Sequence, residues 1–335
     1  MRLSDLGERR ILSEIIPNYT TGTGDDCAAV NINGRYLSVS TDPCPRPAAE
    51  VLAHDDDPYW FGWLLVTINA SDLAAAGASP SCFLAALDLP RDYEVVKFER
   101  LLRGISDSCK ANGLDYVGGN IREAVSLNAT GTAIGTSHSP PLTRTGASAG
   151  SRLVVVGRPG RFWSHVKALQ NGETLPEDSP LFRPVSQVNE IKLLNDAGLV
   201  ECAMDTSDGL APTLQEMCRV NQLTMAVDLE KLRSSCPENG RLIRSERAWM
   251  GWGDWSVVVS VADERFQDFQ NALVQNKIEA YEIGGFKIGE PIVLLEDGDR
   301  SAQLGRLESE RFASDSWFHK GVEFYQSELE GLVLP

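Results

Sequence analysis

The chain has 335 residues, 42% hydrophobic and 23% charged, a balance that excludes wholesale disorder and fits two domains. Its 31 Lys and Arg against 47 Asp and Glu give a net charge of −16, which argues against a nucleic-acid or anionic-membrane surface. A phosphorylated ligand of so acidic a protein needs a positive bridge, and a divalent cation is the usual one.

Leu6, Ile11, Leu12, Ile15 and Ile16 have helical spacing, ended near Pro17. Ala28–Ile32 and Tyr36–Ser40 alternate apolar and polar residues around Asn33-Gly34, a two-residue hairpin signal. Residues 43–58, rich in Pro and acid, read as a loop. Residues 59–76 predict a helix, apolar nearly all round and so buried, with Gly77 as its stop. A strand at 82–89 and an amphipathic helix at 94–111 follow, then a short strand, Tyr116-Val117, entering Gly118-Gly119. Residues 127–136 read as another strand.

Residues 137–150, with two Pro, two Gly and several Ser and Thr, mark a domain junction between residues 1–140 and 150–335. Beyond it come strands at 152–156, 202–204, 255–261 and 280–288, and helices at 185–197, 211–220 and 264–275. Strands and helices alternate in both halves, so the fold class is mixed α/β (α+β) with two lobes.

Seven Cys lie scattered at 27, 44, 82, 109, 202, 218 and 236 with no CxxC, the pattern of reduced cytosolic thiols. Residues 1–10 carry charges where a signal peptide needs an apolar run, and the apolar stretch 60–78 is broken by Asn69 and Asp72. The expected location is cytoplasmic, with neither membrane nor nucleic acid as partner.

There is no GxxxxGK[ST], no GxGxxG, no GxSxG and no metal spacing among the four His. What recurs is Asp beside Gly, Ser or Thr: Gly24-Asp25-Asp26, Ser40-Thr41-Asp42, Ser71-Asp72 and Asp205-Thr206-Ser207-Asp208-Gly209. Singly, each reads as a turn or a helix cap, Ser207 or Asp208 before Gly209-Leu210 being an example. Asp72 is different. It interrupts an apolar helix, and no Lys or Arg lies between Ala48 and Pro90. A buried carboxylate costs several kcal/mol unless partnered. If these Asp converge, pairs about 4 Å apart repel by roughly 4 kcal/mol at an effective dielectric of 20, and they gather divalent cations.

Gly22-Thr-Gly-Asp-Asp26-Cys-Ala, Ser40-Thr-Asp42, Asn69-Ala-Ser-Asp72-Leu-Ala-Ala-Ala-Gly77-Ala-Ser-Pro80, Gly118-Gly119, Arg144-Thr-Gly146-Ala and Asp205-Thr-Ser-Asp208-Gly-Leu210 occur in that order. With them the chain resembles thiamine-monophosphate kinases of the aminoimidazole ribonucleotide synthase-like ATP-binding superfamily, over about residues 20–210. The resemblance implies an N-terminal sheet-and-helix lobe that dimerises through its sheet, a C-terminal α/β lobe, and ATP bound with Mg2+. Asp26, Asp42, Asp72, Asp205 and Asp208 would be metal ligands, helped by Ser40 and Thr41. Gly118, Gly119, Asn120, Arg144 and Ser207 would face the nucleotide, and Arg144 and Asp208 would be catalytic. The γ-phosphoryl group would pass directly to thiamine phosphate, giving thiamine diphosphate.

Three departures from the family pattern bear on its metal and substrate sites, the first as a lost metal ligand. Asn120 replaces an Asp, residues 43–50 lack the family's His, and Trp252-Gly-Asp254-Trp255-Ser-Val257 lacks both Glu of Gly-Glu-Asp-Tyr-Glu-Leu. The acceptor is therefore open. Arg46 is a candidate for an anionic acceptor, and Trp252, Trp255 and Trp317 are candidates for stacking on it. Two alternatives stand beside the kinase reading: ATP-dependent activation of an amide or carboxyl oxygen for attack by a nitrogen nucleophile, and a nucleotide-binding paralogue without turnover.

Overall fold

The hairpin forms where Asn33-Gly34 requires it in a computed structural model that describes residues 1–20, 24–234, 245–307, 311–312 and 317–335. Asn33 and Gly34 take φ of 54° and 85°, as a two-residue turn between right-twisted strands demands. They join β1 (Ala28–Ile32) to β2 (Arg35–Pro43). Upstream, the expected helix is broken into short 3-10 and π turns around α1 (Glu8–Arg10). The stretch read as a loop contains α2 (Ala48–Ala53).

Helix α3 (Pro58–Ala75) starts with Pro58 in its first turn and the Asp57 side chain accepting from the Tyr59 N–H. Almost all of it is buried, because it lies at the centre of the molecule. On one side it meets α4 (Val95–Ala111) at a close crossing made by glycines. A Cβ on Gly62 would stand 2.2 Å from the Leu101 carbonyl oxygen, and one on Gly104 2.1 Å from that of Tyr59.

The first sheet has the order β1-β2-β5-β3-β4, with β3 (Ser79–Leu89), β4 (Asp115–Glu123) and β5 (Asn128–Ser137). Strand β4 runs on through Gly118-Gly119, where a short strand was expected to stop. At Gly119 a Cβ would lie 1.8 Å from the Ala85 carbonyl oxygen, so the glycine permits the pairing with β3 rather than ending it. Phe83, Ala85 and Leu87 are buried on the helix side, while Leu37, Val39, Leu84 and Ile134 are only partly covered.

The second sheet has the order β12-β11-β8-β10-β6-β9-β7. Its strands are β6 (Arg152–Val156), β7 (Cys202–Asp205), β8 (Thr224–Asp228), β9 (Val257–Val261), β10 (Ala280–Lys287), β11 (Val293–Asp297) and β12 (Arg300–Gln303). Its helices are α5 (Arg161–Gln170), α6 (Val188–Asp196), α7 (Leu210–Asn221), α8 (Leu229–Ser234), α9 (Ser245–Met250), α10 (Phe266–Asn276), α11 (Trp317–Lys320) and α12 (Val322–Glu330). Strand alternation sends Val154, Val156, Val257 and Val259 into a core shared with Leu65 and Leu73 of α3. Leu153, Val155 and Val258 point the other way, into a second core with Trp163, Trp249 and Tyr325. The mixed α/β, two-lobed architecture is thus held by one core common to both lobes. No helix among the described residues is long and apolar enough to cross a membrane.

Candidate functional site

Three carboxylates from three distant segments meet between the lobes. Asp26 precedes β1, Asp72 lies in the last turns of α3, and Asp205 ends β7; one oxygen of each lies within 4.8 Å of the others. Each is held by its own partners. Ser40 donates to Asp72 at 2.6 Å and to the Asn69 amide oxygen at 3.1 Å, and that oxygen also accepts the Asp42 N–H at 3.1 Å. Ser71 donates to Asp205 at 2.7 Å, and Ser207 donates to its other oxygen at 2.8 Å. Ser207 and Asp208 therefore do not cap α7, whose entry is made by Gly209 at φ 106°.

The period of β2 decides which side chains join. Ser40 and Asp42 face α3, the Asp42 charge adding to the repulsion felt by the Asp72 carboxyl. Thr41 points to the opposite face, where its hydroxyl donates to the Gly131 carbonyl at 3.1 Å and stands 3.1 Å from the Thr132 hydroxyl. Thr41 is thus no ligand of this cluster, a correction to the expectation for it. Asp208 is exposed at the rim of the site.

The electrostatics follow from the crowding. Burial, then repulsion from Asp205, pushes the Asp26 carboxyl up to about 6 against the pull of Arg144. Burial and the charges of Asp205, Asp42 and Asp26 drive the Asp72 carboxyl well above the ordinary carboxylate range. Protein ringing the recess, with Glu8 and Asp205, lifts Asp208 to about 6, while Arg9 and Arg311 oppose it.

Arg144 is the cation inside this group. Its Nη2 donates to Asp26 at 2.6 Å and its backbone N–H to Asp25 at 2.9 Å. Burial opposes its charge, but Asp26 outweighs this and raises its pKa. Asn221, at the end of α7, fastens the loop. Its amide oxygen accepts from the N–H of Gly146 at 2.9 Å and of Ala147 at 3.0 Å, and its amide nitrogen donates to the Arg144 carbonyl at 2.8 Å. Nothing in the sequence singled out Asn221, whereas Asn69 and Ser71 carried the same signal as Asp72, being polar residues in an apolar helix.

The remaining expected residues lie elsewhere. Gly118, Gly119 and Asn120 sit on β4, separated from β2 by β5 and β3, about 14 Å across the sheet at the usual strand spacing. Arg46 is exposed and paired with Glu50 at 2.7 Å, so it is a solvated surface pair. Trp252 packs into the second core, 5.0 Å from Phe162 and 5.3 Å from Trp163 between ring centroids. Trp255 is half-buried at φ 52°. Gly22, Cys236 and the side chain of Trp317 lie outside the described residues.

Residues 24–137 match the N-terminal domain of AIR synthase related protein, and residues 148–290 match its C-terminal domain. The chain belongs to the AIR synthase-related family and is thiamine-monophosphate kinase-like. It is 27% identical over 319 residues to a thiamine-monophosphate kinase of Halobacterium salinarum, covering 93% of this chain and 100% of the relative. To that of Aquifex aeolicus it is 26% identical over 318 residues, covering 91% and 99%. Among solved structures, tt0281 of Thermus thermophilus superposes with a TM-score of 0.78 at 27% identity over 91% of this chain and 100% of that one. AaThiL complexed with AMPPCP and TMP shares the fold, with a TM-score of 0.73 at 24% identity, 90% and 98% being covered.

Proposed function

We propose that the protein is an ATP-dependent phosphotransferase that moves the γ-phosphoryl group of ATP directly to an oxygen of a small acceptor, thiamine monophosphate being the first to test. The observation that carries this is the convergence of Asp26, Asp72 and Asp205 within 4.8 Å beside Arg144. Membership of a kinase-like family supports the class of reaction, and a shared fold that takes AMPPCP and TMP supports the two substrates. Hard oxygen donors of this kind fit Mg2+, and Asp26, Asp72 and Asp205 would hold it, with Asp42 and Asp208 adjoining. The metal supplies charge neutralisation for the triphosphate.

The chain's own residues supply position. Ser40 fixes Asp72, while Ser71 and Ser207 fix Asp205. Arg144 brings a cation held on both its side chain and its backbone. An acceptor oxygen attacks the γ-phosphorus, the bond to the bridging oxygen breaks, and ADP leaves with that electron pair. A phosphate acceptor is already anionic, so the step requires neither a general base nor a covalent enzyme intermediate.

Labelled γ-phosphate, Mg2+ and thiamine monophosphate test the reading, with label in thiamine diphosphate the expected result and its loss in Asp72→Asn the control. ADP and phosphate released only when an acyl substrate and an amine are both present would replace it by carbonyl activation. Tight ATP binding without ADP under any acceptor mixture would replace it by a binding protein. We also propose residues 1–140 and 150–335 as the domains, and pairing of two copies through the partly covered face of the first sheet. Sedimentation at twice the chain mass checks the pairing.

A further inference from the structure

Residues 251–256, between α9 and β9, join two parts of the second lobe that the sequence keeps apart. Where the loop enters β9, the β7–β9 ladder pairs Val257 with Asp205, and the pairing continues one step into the turn beyond. The Ser256 carbonyl accepts the Thr206 N–H at 2.9 Å and the Thr206 hydroxyl at 3.1 Å. Where the loop leaves α9, the backbone of Gly251 and Trp252 lies against Gly209, on which a Cβ would stand 2.9 Å from the Gly251 carbonyl carbon. The turn carrying Asp205, Ser207 and Asp208 is therefore seated on this loop at both of its ends.

Asp254, in the middle of the loop, reaches the other way. One of its carboxylate oxygens accepts the Gly160 N–H at 2.6 Å and the other the Phe162 N–H at 2.7 Å. Both donors lie at the start of α5, where a helix has no acceptors of its own for them. Gly253 permits the approach, since a Cβ there would run into the Phe162 ring. Burial pushes the Asp254 carboxyl up to about 7, against the pull of the two N–H donors and of Arg161, which is itself paired with Asp178. A neutral amide would escape that cost, but it would present an NH2 group to one of the two N–H donors.

Trp255 follows directly, at φ 52°. A bulky residue keeps this left-handed backbone only where its surroundings impose it. Here its neighbours in the chain do so: Asp254 is held by α5, and Ser256 is held by Thr206. Releasing Asp254 lets Trp255 relax to negative φ, and that rotation carries the Ser256 carbonyl off Thr206.

We propose that Asp254 is a positioning residue for the Asp205–Asp208 turn: its hold on α5 keeps Trp255 left-handed and the Ser256 carbonyl on Thr206, which fixes the spacing of the carboxylates on either side of Thr206. This rests on the phosphotransferase reading and deepens it, because Asp254 acts on the metal-binding turn from outside it.

Hydrogen exchange in EDTA and calorimetry with Mg2+ test this on Asp254→Asn. Val155→Ala, which loosens the same lobe's core away from the loop, is the control. The expected result for Asp254→Asn is about tenfold faster exchange of the Thr206 and Gly209 N–H groups, unchanged exchange in β8, and about tenfold weaker Mg2+ binding. Val155→Ala keeps wild-type values for the turn and for Mg2+. Unchanged exchange at Thr206 in Asp254→Asn overturns the proposal. So does faster exchange without weaker Mg2+ binding, or the same two changes in Val155→Ala. Should Asp254→Asn not fold, Asp254→Ser decides by the same readouts: wild-type values overturn the proposal, and losses in both support it. Absence of Mg2+ binding from the wild type would sink the phosphotransferase reading, while exchange at Thr206 still reports on Asp254.

Discussion

Replacing Asp72 by Asn tests the central electrostatic claim without removing the shape of the site. The amide keeps an oxygen that can accept from Ser40, now 2.6 Å from the carboxylate. It removes one of three carboxylates whose oxygens lie within 4.8 Å of one another. At that separation each pair repels by about 3.5 kcal/mol at an effective dielectric of 20. Partial protonation caps this. Burial and the charges of Asp205, Asp42 and Asp26 hold the Asp72 carboxyl well above the ordinary carboxylate range, so ionising it in the folded protein carries a penalty that the amide does not. Relieving part of that repulsion makes metal-free Asp72→Asn more stable than the wild type by about 2 kcal/mol at pH 8, a melting gain of about 2–4 °C. The raised folded value of Asp72 fixes the sign of the pH dependence. The penalty is absent below the unfolded value near 4 and grows as pH rises above it. The variant's advantage therefore vanishes near pH 4. Adding Mg2+ at pH 8 reverses the order, because the wild type gains the ion's binding energy and the variant gains little. Thermal melts at pH 4 and 8, with EDTA or Mg2+, read all of this. A variant that melts below the wild type in EDTA at pH 8, or equal stabilisation of both proteins by Mg2+, would refute the reasoning.

Arg144→Gln leaves Asp26 without its guanidinium partner, so phosphoryl transfer falls by about 100-fold or more, measured as kcat at saturating ATP. Asn221→Ala frees the loop at Arg144, Gly146 and Ala147 while touching none of the carboxylates. A kcat loss of about tenfold, with Mg2+ affinity unchanged in calorimetry, is expected; equal loss of both would mean that the lobe itself had been disturbed. Gly104→Ala places a Cβ 2.1 Å from the Tyr59 carbonyl oxygen and forces α3 and α4 apart, lowering stability by about 2–3 kcal/mol in urea titrations.

Local rules made the backbone pattern legible. Asn33-Gly34 dictates its hairpin, residues 152–156 alternate between two buried faces, and a helix apolar all round proved to be the central one. The same rules misread Gly118-Gly119 as a strand end, since only the neighbouring Ala85 backbone shows why glycine is needed there. Residues 3–18 lost their regular helix although the spacing was right, and residues 48–53 gained one that a Pro- and acid-rich stretch concealed.

The sequence by itself determined which carboxylate could not be an ordinary surface group: Asp72, in an apolar helix with no cation nearby in the chain. It could also pair Ser40 with Asp42 on one side of a strand, because that is arithmetic of period two. Only the tertiary structure decided who else arrives. Asp26 and Asp205 lie 46 and 133 positions from Asp72, and sequence carries no distance information at such separations. The crossing of α3 beneath both sheets brings them together around Asp72. That outcome depends on which faces pack, a property of the assembled core rather than of any segment in it.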